Sequence, residues 1–214
     1  MENFYSWIFI SIAFTAFILF ILGTKGLKME LIVFILWNTI ITSLSINSFF
    51  TDTKSLPPRM LLVIAPSICF VLMCYRKKQE IVLRKDLHLA LHSLRLPVEL
   101  MLHLLFLRGL LPREMTYQGW NFDILTGLSA IVLLLIAAFG KRTPKKTFYY
   151  WNLFGMIMLA IVVSIAILSA PSPIQILSKE QPNLAILQFP YILLPSLIVP
   201  LVLTSHLLLL KQNR

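Results

Sequence analysis

LHLALHSLRLPVELMLH, residues 87–103, is the stretch whose reading decides how this chain is built. It is an apolar helix interrupted by His88, His92, Arg95, Glu99 and His103, which recur at steps of four, three, four and four. At about 100° per residue these five side chains fall within an arc of about 80°, with Pro97 on the opposite face. Such a helix either lies flat on a membrane surface or crosses the membrane with its stripe turned toward protein, because a charge facing lipid is costly.

The rest of the chain supplies the setting. Of 214 residues, 58% are hydrophobic and 13% charged, and the mean hydropathy is +0.83. A soluble domain needs more charge than this to cover its surface, so the composition is that of a membrane protein. The net charge of +10 is spread in short basic runs between apolar blocks. That distribution marks membrane topology, and it argues against a nucleic-acid partner. The opening MENFYSWIFISIAF has no basic leader and is followed by no small-residue cleavage site, so it reads as a first span and not as a removed signal.

A helix needs roughly 20 apolar residues to cross the hydrocarbon core. Segments at about 5–23, 31–50, 60–75, 122–140, 148–169 and 186–210 qualify, and 87–107 is the segment in question. If it crosses, seven spans place thirteen basic loop residues on one side and five on the other, with Arg95 inside the membrane. If it lies flat, every later segment inverts, the KRTPKK run at 141–146 changes sides, and the split weakens to eleven against eight. Positive charge collects in the cytoplasm, so the expectation is seven spans with the N-terminus outside and the C-terminus cytoplasmic. The whole of 1–214 is then a single integral membrane domain, an all-α transmembrane bundle. Short loops and the absence of an Asn-x-Ser/Thr sequon favour a bacterial inner membrane.

Seven spans in this orientation resemble rhodopsins and G-protein-coupled receptors in architecture alone. The last segment carries no lysine for a retinal Schiff base, and FPYILLP (189–195) is not the receptors' NPxxY. No family is claimed on these motifs.

Ionisable residues inside a membrane are candidates for function by default, and here they are aligned. Glu99 is the only acid placed deep in the membrane, where burial disfavours its charge and Arg95 favours it. The leading reading is an internal polar cavity that binds or transports a proton, an ion or a small polar ligand. Arg95 and Glu99 are its charged pair, and His103, His92, Asn38, Asn121 and Asp123 complete the pathway. Helix capping is the plainer role for Asn121 and Asp123. Asn38, Thr42 and Ser45 form a second polar face, for which interhelical hydrogen bonding alone is the commoner explanation.

The second reading is a membrane enzyme using haem or a divalent metal. His88 and His92 have the spacing that lets two imidazoles meet one ion, and His206 shares their depth. The third is an accessory subunit that docks a partner membrane subunit or forms an oligomer. Cys69 and Cys74 read as buried thiols pointing in different directions. Pro190, Pro195 and Pro200 in the last segment free carbonyls that a neighbouring helix, a hydroxyl or water must satisfy.

Overall fold

The computed structural model describes residues 2–55, 58–77, 80–141 and 143–212, and it is all-α apart from one pair of two-residue strands. Lys78, Arg142 and Arg214, which enter the charge count above, lie outside the described residues. The helices are α1 (Glu2–Gly23), α2 (Lys28–Ile46), α3 (Leu61–Arg76), α4 (Lys85–Ser93), α5 (Arg95–Leu107), α6 (Asp123–Ala138), α7 (Lys145–Ser169) and α8 (Val199–Gln212). Each of the seven expected segments contains one of these apolar helices, with α4 and α5 sharing one segment. Among the described residues, five elements are by length and composition apolar enough to cross a membrane: Phe4–Gly23, Lys28–Ile46, Lys85–Leu107, Lys145–Ser169 and Leu194–Lys211. Leu61–Arg76 and Asp123–Ala138 are apolar but shorter.

The boundaries depart from expectation in three places. The second helix stops at Ile46, where Ser48 takes a left-handed conformation and a 3-10 turn, Phe49–Thr51, follows. The last helix does not begin at 186. Residues Ala185–Leu187 form a 3-10 turn, and regular helix starts only after Pro190, whose missing N–H and disfavoured preceding residue block an earlier start. Its first turn, Leu194–Ile198, is π-helical, with Val199 N–H bonding back to Leu194 O. Pro200 cannot donate to Pro195 O, and Ser67 Oγ, which bonds Val63 O at 2.7 Å, lies 3.4 Å from that carbonyl.

The third departure is in the quoted stretch, which is two helices joined at Leu94. Pro97 gives no N–H to Ser93 O and its ring crowds that carbonyl, so the chain turns tightly there and Leu94 N–H bonds Leu91 O at 3.2 Å. In the first turn of α5 the missing donor costs nothing, because those N–H groups lack partners anyway.

The α4–α5 element sits at the centre, packed against α1, α6 and α8. Its leucines are therefore not a lipid-facing surface as a whole. Leu91, Leu102 and Leu105 are buried, and Leu100 and Leu107 are exposed. Apolar burial drives helix association weakly in lipid, whose tails are as apolar as leucine, so close backbone approach matters more. Gly127 of α6 lets that helix lie against α5, since a Cβ there would meet Leu96 N at 2.7 Å. Gly155 of α7 does the same for α8, where a Cβ would meet His206 Cε1 at 2.5 Å.

Strand pairing of Thr24–Lys25 (β1) with Val82–Leu83 (β2) holds the α1–α2 and α3–α4 connections together at one end. There Lys77 Nζ meets the buried Glu30 Oε1 at 2.8 Å, and that hydrogen-bonded carboxylate holds the ammonium above the ordinary lysine range. At the other end Leu110 O accepts from Leu184 N and Ala185 N, joining the α5–α6 and α7–α8 connections. The outer surface is apolar nearly throughout the helices, with Trp7, Leu36, Ile68, Leu135 and Tyr150 all exposed. Cys69 belongs to that exposed surface, against expectation, and Cys74 is buried.

Candidate functional site

The stripe faces the interior as expected, but the bend at Leu94 divides it into two groups. His88, His92, Arg95 and Glu99 are all less than 5% exposed.

The first group is built by α5, α6 and the turn between them. Arg95 Nη1 lies 2.9 Å from Asp123 Oδ1 and also donates to Gly155 O at 3.3 Å. Its ion-pair partner is thus Asp123 and not the expected Glu99. Arg95 Nε and Nη2 have no hydrogen-bond partner. Asp123 is the first residue of α6 but makes no capping bond, so its carboxylate serves the ion pair. The capping role belongs to Asn121, whose Oδ1 accepts from Asp123 N at 3.0 Å. Asn121 Nδ2 donates to Glu99 Oε1 and Oε2 at 2.7 and 2.8 Å and to Met115 O at 2.9 Å. One amide therefore ties Glu99 to the start of α6 and to the 3-10 turn Arg113–Met115.

Three of these side chains border a cavity of about 530 Å³. Arg95, Glu99 and Asp123 are its charged lining residues, and most of the remaining wall is Ile, Leu, Val, Met and Ala from α3, α5, α7 and α8. The cavity is mainly apolar, unlike the polar one expected, and no described residue of α2 lines it. Asn38 lies away from it, bonded back to Phe34 O at 3.0 Å. His103 is also apart, against Tyr117 and Phe106 with ring centroids 4.8 and 6.0 Å away.

The second group lies between α4 and α8. Gly23 O can only accept, so its 3.2 Å contact assigns the proton of His88 to Nε2. Nδ1 of His88 then accepts from Ser205 Oγ at 2.7 Å, and Ser205 Oγ accepts in turn from His92 Nε2 at 2.9 Å. His206 Nδ1 donates to Asn152 Oδ1 at 3.0 Å. His92 Nδ1 and His206 Nε2 are left as bare acceptors, their rings stacked at 3.9 Å. So His88, His92 and His206 converge, but through hydrogen bonds to protein groups. No set of three or more His, Cys, Asp or Glu side chains able to hold a metal occurs among the described residues.

Ser205 and Asn152 are the hydrogen-bond partners of these histidines that the sequence reading missed. Asn152, the lone amide of YYWNLFGM, is a polar residue in an apolar helix and in that sense visible. Ser205 carries no such signal.

No curated protein and no solved structure matches the chain. Residues 59–212, from the turn before α3 through α8, match a family described as a domain of unknown function (DUF8737), and the chain belongs to that family.

Proposed function

We propose that the protein crosses the membrane seven times, N-terminus outside, and binds or transports a ligand that brings one positive charge to Glu99. The observation that carries this reading is a charge imbalance. Two buried carboxylates, Glu99 and Asp123, share the cavity wall with one buried guanidinium, Arg95. Asp123 already occupies Arg95 Nη1, which leaves Glu99 with an amide and no cation of its own. A buried charge without a partner is expensive, so the site is complete only with a proton, a metal cation or a ligand amine beside Glu99. The ordered network around it keeps the acceptor positioned before the ligand arrives.

The test uses the full-length protein in proteoliposomes, with proton, sodium and methylammonium uptake measured under an imposed potential. Uptake or saturable binding of at least one of them is expected in the wild type and lost in Glu99→Gln. If no cation is bound or moved in a Glu99-dependent way, the reading is wrong.

A further inference from the structure

The cavity is much larger than a proton or a metal ion needs, and its walls are not suited to hydrating either. Ion paths are lined by polar groups or water. Here three charged residues line the cavity, and most of the remaining wall is aliphatic. About 530 Å³ falls within the range of about 300–1,000 Å³ typical of organic-ligand pockets.

The cavity also opens sideways. Ile64, Ile68 and Leu72 line it from one face of α3, and Met156, Ala160 and Ser164 line it from α7. These two helices flank α8, whose π-helical turn with Pro195 forms part of the floor. Ile68, Leu72, Ala160 and Ser164 are exposed at the surface, so the gap between α3 and α7 reaches the face that the seven-span reading assigns to lipid.

The charged lining completes the description of an occupant. Glu99 lacks a cation, and Arg95 presents two N–H groups, on Nε and Nη2, along one edge of its guanidinium with no acceptor. That edge is the fork that donates two bonds to oxygen.

Resting on the charge reading above, we infer that the ligand is a single-chain amphiphile that enters from the bilayer between α3 and α7. It places an amine against Glu99, an adjacent hydroxyl or carbonyl oxygen on the free edge of Arg95, and its tail along the aliphatic walls. Neither an acid nor a short polar molecule satisfies all three features. An acid would add a second uncompensated negative charge, and a short molecule would leave the apolar volume empty.

The experiment compares three probes on the full chain in nanodiscs of neutral lipid: 1-amino-2-dodecanol, 1-amino-2-butanol with the same head and a short tail, and dodecanoic acid with the same tail and opposite charge. Saturable binding is followed by the shift in thermal midpoint. The long amino alcohol is expected to bind, to weaken at least tenfold in Glu99→Gln, and to be blocked by Ala160→Trp, which fills the gap from α7. Ile68→Trp, filling it from α3, guards against misfolding of one variant, and the short amino alcohol should be insensitive to both. Binding of dodecanoic acid in preference to the amines overturns the head assignment. Long-chain binding unaffected by either tryptophan overturns the lateral entrance. Equal, Glu99-dependent binding of the short and long amines overturns the amphiphile and leaves the charge reading standing. Glu99-independent behaviour of every probe, together with silent cation assays, overturns both.

Discussion

Glu99 and Asp123 are both buried acids that line the cavity with Arg95, yet they should respond oppositely to loss of charge. Asp123→Asn removes the carboxylate paired with the buried guanidinium, a loss of about 3–5 kcal/mol. Glu99→Gln keeps the shape, and its side-chain oxygen still accepts from Asn121, but the surplus negative charge is gone. Its thermal midpoint is expected to equal or exceed that of the wild type. Denaturation of the two purified variants checks this, and a Glu99→Gln protein as damaged as Asp123→Asn would refute the charge count. Gly155 makes a separate prediction at this scale. A methyl group there would fall 2.6 Å from His206 Nε2, on a ring that is fully buried and held by Asn152. Gly155→Ala should cost about 1–3 kcal/mol through overpacking, measured as a lowered midpoint.

At the scale of elements, the two groups of the site exist because one apolar segment is two helices. Pro97 has no N–H to give Ser93 O, and the chain tightens to a 3.2 Å Leu94 N–Leu91 O bond where α4 ends and α5 begins. As a result, α4 sends His88 and His92 toward α8, while α5 directs Arg95 and Glu99 toward α6 and the cavity. Asn121 is the joint between α5, the Arg113–Met115 turn and α6. Asn121→Ala would leave the Glu99 carboxylate and Met115 O without their donor. The expected cost is about 1–3 kcal/mol, with faster hydrogen exchange in the α5–α6 connection than elsewhere. Uniform exchange across the chain would show that the joint is not local.

For the whole molecule, the arrangement fixes which loops share an end. Paired strands join the α1–α2 and α3–α4 connections, and Leu110 O joins the α5–α6 and α7–α8 connections. Lys146 lies in the first turn of α7 and Lys179 in the connection beyond its other end. In a background with Cys69 and Cys74 replaced by serine and alanine, Lys146→Cys and Lys179→Cys should react with a membrane-impermeant maleimide from opposite faces. Lys179→Cys is expected to label in intact cells and Lys146→Cys only after permeabilisation. The reverse pattern would invert the proposed orientation, and labelling of both from one side would remove the α7 crossing.

Composition and periodicity determined the class of the chain, because apolar segments and basic loops follow local rules that any neighbour obeys. The 3.6-residue repeat was enough to align His88, His92, Arg95 and Glu99 on one buried face. Pairing was another matter. An i, i+4 spacing suggested Arg95 with Glu99, but the packing of α6 brought Asp123 to Arg95 and Asn121 to Glu99, across more than twenty residues of chain. Asn38 had the right spacing for a polar face and the wrong helix, since α2 never reaches the cavity. Ser205 joined His88 to His92 only because α8 crosses α4 at that height. Spacing along one helix reports which side chains share a face. Which partner each receives, and whether the space between is wet or aliphatic, is decided by helices distant in sequence that pack against that face.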